Sequence, residues 1–157
     1  MIDLIGKIEQ DHNEDHHRSY LFPDLSTDID RTCTFTSGAI DNFGTWAEVT
    51  DSLGNTLGDI AALYAIHITA VSLRSPSVAD KLYVFEIGYG PDNTHVTVLD
   101  PHTFGSGTKH TDGDYQARFR PPVIPLDEKI WYRMKTEDTL NATVLVVFWY
   151  HPHERSR

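Results

Sequence analysis

From Arg31 onward the apolar residues recur at every second position, and that period constrains the fold more than any other feature of the chain. In "KLYVFEIGYG", Tyr83, Phe85, Ile87 and Tyr89 fall on one side of an extended segment, with Leu82, Val84 and Glu86 on the other. Successive side chains of a strand point to opposite faces, so this is the pattern of a strand with one face in a core. "RTCTFTSG" repeats it, setting Cys33 and Phe35 against Thr32, Thr34 and Thr36, and "TWAEVTD" follows. "ALYAIHITAVSL" is apolar on both faces, as a central strand would be. "THVTVLD", "DYQARFR", "KIWYRMKT" and "ATVLVVFWYH" bring the number of strands to about eight, separated by turn clusters such as "PDN", "FGSGT", "TDGD" and "RPPVIPLDE". No helix-length amphipathic pattern interrupts them. The expected fold is therefore all-β: an antiparallel β-sandwich, jelly-roll-like, of about eight strands. Periodicity does not determine connectivity, so an up-and-down barrel or an immunoglobulin-like sandwich would carry the same pattern.

Before Pro23 the period differs. Ile2, Leu4, Ile5 and Ile8 sit at helical spacing, Asp3 is placed to cap, and "KIEQDHNEDHH" continues with residues suited to a solvated helix. This predicts a short N-terminal helical or extended arm. Residues 1–30 then form the arm and its junction, and residues 31–157 the β-sandwich domain. An isolated helix of this size is marginal in water, so its apolar stripe needs a surface supplied by the body, a sister subunit or another protein. Tyr20, Leu21 and Phe22, directly ahead of Pro23, read as an aromatic latch between arm and body. The partner-binding arm is thus expected to use Ile2, Leu4, Ile5, Ile8, Tyr20, Leu21 and Phe22.

A chain of 157 residues is large enough to bury a core as one domain without cross-links. Thirteen basic residues against 23 acidic ones give a formal charge of −10, and no basic patch stands out, which argues against a nucleic-acid partner. The single cysteine, Cys33, has no partner for an intrachain disulfide and reads as a small apolar side chain in a strand. The longest apolar run, "TVLVVFWY" at Thr143 to Tyr150, is of strand length, so no membrane partner is expected. "MIDLIGKIEQD" is acidic and polar rather than basic and then apolar, the reverse of a secretory leader, and synthesis in a cytoplasm is the expectation.

The histidines are the most suggestive chemical feature. His12 and His16 lie four apart, the spacing of helical zinc sites, but Asn13 stands where the catalytic form of that motif places glutamate. His151 and His153 alternate at the end of the last strand, where copies related by a threefold axis could share a metal. His67 has Thr69 where a cupin-type pair would place a second histidine. No metal or other cofactor is expected; His12, His16, His151 and His153 are the residues whose spacing allows one. Ser72 and Ser75 lack a nucleophile-elbow motif, and "GYGPDN" reads as a hairpin turn, so no catalytic residue is assigned. Trp46 and Trp131 are candidates for an oligomer contact or a ligand-stacking platform.

The order of the pieces carries a further signal. A His-containing lead, "SYLFPDLSTDIDRTCTFTSGA", "FGTWAEVT", "YAIHITAVSL", "KLYVFEIGYG" and a closing "VLVVFWYHPH" together resemble a group of small tailed-phage virion structural proteins. Those run from an N-terminal arm through a "YP-T" type junction into a β-sandwich with "IH-I", "L-LY-G" and "YYH" type strands. Tyr20 to Pro23, Ile66 to Ile68, Leu82 to Gly90 and Trp149 to His151 stand in the matching places. This chain departs from the pattern in its "LFPDL" junction, its proline-rich "RPPVIP" and its basic "HERSR" end. The resemblance implies a non-enzymatic protein of the virion, made in the host cytoplasm. It would be a capsid decoration or cement protein, a homotrimer bound to the major capsid protein or other virion proteins. A fibre-attachment or glycan-binding receptor module is the alternative it allows, and a small metal-dependent jelly-roll enzyme the third.

Overall fold

The computed structural model describes residues 19–99, 102–105, 115–118 and 123–153. In chain order the strands are β1 (Tyr20–Phe22), β2 (Cys33–Thr36), β3 (Ala47–Glu48), β4 (Ala65–Arg74), β5 (Leu82–Gly90), β6 (Thr97–Val98), β7 (His102–Gly105), β8 (Tyr115–Arg118), β9 (Lys129–Thr136) and β10 (Thr143–His153). A five-residue helix, α1 (Leu57–Ala61), lies between β3 and β4. One sheet runs β2–β10–β4–β8, with β1 on the same edge of β10 as β2 but further along it. The other runs β3–β9–β5, and β6 and β7 share the far edge of β5 as one interrupted strand. All these pairings are antiparallel. From β2 to β5, and again from β7 to β10, chain neighbours lie in opposite sheets, which is the connectivity of a jelly roll.

The alternating residues meet between the sheets. Phe35 lies parallel to Tyr132 with ring centroids 3.8 Å apart, and packs at 6.3 Å against Phe85 and at 6.0 Å against Phe148, joining β2, β9, β5 and β10. Ile66, Ile68, Val71, Leu73, Ile87, Ile130 and Met134 complete this interior. The Tyr132 hydroxyl is not wasted there: it accepts from the Thr36 amide at 3.2 Å. In β4 the inward set shifts phase. Trp149 pairs with Ala70 and Tyr150 with Ile68, so Thr69 is an extra residue, a bulge whose hydroxyl donates to the Trp149 carbonyl. Ile66 and Ile68 point inward before the bulge and Val71 and Leu73 after it, which is why the segment reads as apolar on both faces.

The short helix is a difference from the sequence expectation. Five residues are too few to show a 3.6-residue period, yet the start signal is present in the sequence. Thr56 accepts from the Asp59 amide at 3.1 Å and Asp59 accepts from the Thr56 amide at 3.0 Å, a capping box. Leu57 and Ala61 are buried, so α1 closes one end of the sandwich, where Asp127 donates its amide to the Ala61 carbonyl. The other end is laced by Ser37 to Ala142 and Ser77 to Thr143, each pair exchanging two hydrogen bonds of 2.8 to 2.9 Å.

Candidate functional site

Tyr20, Leu21 and Phe22 form β1 itself. They pair in register with Tyr150, Trp149 and Phe148, so the latch is a sheet strand rather than a free junction. Phe22 is only 4% exposed and meets the Phe148 ring at 6.5 Å, while Tyr20 stacks on Tyr150 at 5.9 Å and 27°. Ile2, Leu4, Ile5 and Ile8, with His12 and His16, lie outside the described residues.

Beside β1 lies a cavity of about 630 Å³. The tyrosine pair and Leu21 form one wall; Asp24, Ser26 and Arg31 from the following loop, and Asn55, Asp59 and Ile60 from the α1 region, form the rest. Local hydrogen bonds shape both loops. Asp24 accepts from both the amide and the hydroxyl of Ser26 through Oδ1. Asp51, only 7% exposed, accepts from the amides of Leu53 and Asn55 and from the Asn55 side chain, closing the "DSLGN" turn. Burial works against the Asp51 charge. The three donors outweigh it and, with a smaller contribution from Arg31, hold the carboxyl below its ordinary range. Asp24 is likewise held low, chiefly by the Ser26 hydroxyl. Tyr150 moves the other way, pushed up to about 12 by burial first and then by the negative charge of Asp24.

The remaining candidates are placed apart. Trp131 is 8% exposed, donates Nε1–H to the Gly90 carbonyl at 3.0 Å and lies beneath Lys129. Trp46 is half-buried, its ring 4.5 Å from the Arg133 guanidinium, which sits 4.6 Å from Phe43 and 2.6 Å from Glu86. Both indoles of the outer face of β9 and its neighbours are thus engaged within the chain. His151 pairs with His67 across the sheet, and the His67 and His153 rings lie 6.3 Å apart. Among the described residues no group of three or more His, Cys, Asp or Glu is arranged to hold a metal ion. No described helix is long and apolar enough to cross a membrane.

Sequence reasoning found one wall of the cavity, through Tyr20 and Leu21, and missed Asp24, Arg31, Asp51, Asn55 and Asp59. The turn and capping signatures of Asp51–Asn55 and Thr56–Asp59 were present; that they converge on β1 follows only from the jelly-roll connectivity. Comparisons with family models, with curated proteins and with solved structures each found no match.

Proposed function

We propose that this chain is a non-enzymatic virion structural protein, a decoration or cement protein that binds the head of a tailed phage through Met1 to Arg18 and presents the sandwich outward. The observation that carries the reading is the anchoring of β1. A segment that staples a body to a particle must pass tension into the core, and β1 is laid antiparallel along β10, the strand that β4 flanks on its other side. Tension from residues before Ser19 would load the β1–β10 hydrogen bonds together, with Phe22 buried beneath them. The resemblance to phage virion proteins supports the station, and the charge of −10 limits nonspecific association. The partner would be the major capsid protein, and the assembly a homotrimer that covers exposed apolar side chains such as Ile40, Leu82 and Leu140.

Deleting Met1 to Arg18 leaves β1 intact and separates the two parts. The expected result is loss of binding to assembled particles with the β-sheet circular dichroism and thermal unfolding of the body retained. Unchanged occupancy on the particle would overturn the proposal.

A further inference from the structure

We propose that the cavity beside β1 binds a primary alkylammonium group, carried on a free diamine or on a lysine side chain of a partner, whatever the protein's station in a particle. Its volume, about 630 Å³, lies in the range of small-molecule pockets. The residue that points to a ligand is Tyr150. It is 8% exposed, lines the cavity, and makes no hydrogen bond through its hydroxyl among the described residues. The side-chain atoms sealed in the protein without a partner are Arg31 Nε, His67 Nε2, Arg74 Nε and Glu128 Oε2, so Tyr150 Oη is open to the cavity instead. A phenol buried to this extent ordinarily finds a partner for its polar end. Here the partner would have to stand in the cavity.

The charge of the lining selects the ligand class. Asp24, Asp51 and Asp59 stand against Arg31 alone, a formal excess of two negative charges. Asp28, 3.9 Å from Arg31 Nε, offsets that guanidinium further. Asp51 has both oxygens committed to its own turn and contributes charge without a free acceptor. On Asp24 the two bonds from Ser26 fall on Oδ1, and on Asp59 the bond from Thr56 falls on Oδ2. Asp24 Oδ2, Asp59 Oδ1 and Tyr150 Oη are thus left as acceptors among the described residues, a number that matches the three N–H donors of an ammonium. Burial, and then the Asp24 charge, keeps the phenol protonated, so it adds no charge of its own. A bare metal ion is the other kind of cation, and no three His, Cys, Asp or Glu among the described residues are arranged to hold one. The lining suits a cation with an alkyl body, which Leu21 and Ile60 can cover. An anion would meet the carboxylates, and a neutral polyol would leave the excess charge unanswered.

The test is titration calorimetry of the full chain with cadaverine and with Nα-acetyl-lysine methylamide, against 1,5-pentanediol as the neutral counterpart. Saturable binding of at least one amine is expected, with no binding of the diol. Binding of cadaverine alone identifies a free diamine as the class of ligand; binding of the capped lysine identifies a protein side chain. Asp24→Asn keeps an acceptor for Ser26 and removes the charge, and should weaken binding about tenfold, the loss of a charge-assisted hydrogen bond. Tyr150→Phe keeps the ring and forfeits no hydrogen bond within the fold, and should weaken binding about threefold or more. Asp138→Asn, between β9 and β10 at the opposite end of the sandwich, removes an equal charge and should leave binding unchanged. If Asp24→Asn lowers the thermal midpoint, Tyr150→Phe decides alone. No binding of either amine, equal binding of the diol, indifference to Tyr150→Phe, or an effect of Asp138→Asn as large as that of Asp24→Asn each overturns the proposal. None of these outcomes bears on particle binding through Met1 to Arg18, which the deletion measures.

Discussion

Cys33 and Asp51 show how far a single residue's chemistry depends on its neighbours. Their backbones meet in an isolated antiparallel bridge, and both side chains are buried. Burial first, and the negative charge of Asp51 second, push the Cys33 thiol up to about 12. Since the thiolate is the reactive form, native Cys33 should resist iodoacetamide at pH 8 and be labelled rapidly in denaturant. Fast labelling of the folded protein would show that the β2 edge opens locally. Asp51 contributes in the opposite sense. Its folded pKa lies below the unfolded value of about 3.9, so its stabilisation is full above that value and disappears as pH falls through the folded pKa. Asp51→Ala, which strands the amides of Leu53 and Asn55, should cost about 1–3 kcal/mol at pH 7 by chemical denaturation. Below about pH 3 the difference between variant and parent should shrink, because protonation removes the same charge from the parent. "DSLGN" was legible as a turn; that its aspartate is buried against β2 was not, because burial depends on a strand eighteen residues earlier.

At the scale of elements, alternation located every long strand, and the departures have local causes. β4 was read as two-faced because the bulge at Thr69 superposes two phases of one pattern. α1 escaped because its apolar face is two residues, Leu57 and Ala61. Its capping box nevertheless makes a prediction: Thr56→Ala should destabilise the fold by about 1 kcal/mol, read as a lower denaturant midpoint with unchanged slope. The β5 edge is more demanding. A Cβ on Gly88 would collide with Val96 Cγ1 and stand 2.7 Å from the Thr97 carbonyl, and one on Gly90 would collide with the His95 carbonyl. The chain from His95 to Thr97 thus lies against the bare backbone of β5, and Trp131 donates its indole N–H to the same Gly90. Gly88→Ala should therefore cost more than the loss of any one exposed side chain, since backbone must move to admit it. A stability within about 0.5 kcal/mol of the parent would mean that this loop can shift freely.

Over the whole molecule, net charge and individual ion pairs make opposite demands. Lys81 with Asp138 and Lys135 with Asp41 are close, at 2.6 and 3.1 Å, but the aspartates are more than half exposed. Such pairs contribute about 0–1 kcal/mol each and are screened by salt. Against them stands a formal charge of −10 whose self-repulsion is screened by the same salt. Repulsion summed over the chain should outweigh a few exposed attractions. The thermal midpoint at pH 7.5 should then rise as NaCl is raised from about 0.02 M to about 0.5 M, where the screening length falls below the spacing of surface charges. Each kcal/mol gained corresponds to about 2–4 °C in a chain of this length. Asp24 and Asp51, both held below the ordinary carboxylate range in the fold, contribute stability that is present above the unfolded carboxylate value and lost as pH falls through their lowered ones. Stability should accordingly fall steeply only below about pH 4. A midpoint that instead falls with added salt at pH 7.5 would place the balance with the ion pairs, and Lys81→Met and Lys135→Met would then abolish the salt dependence.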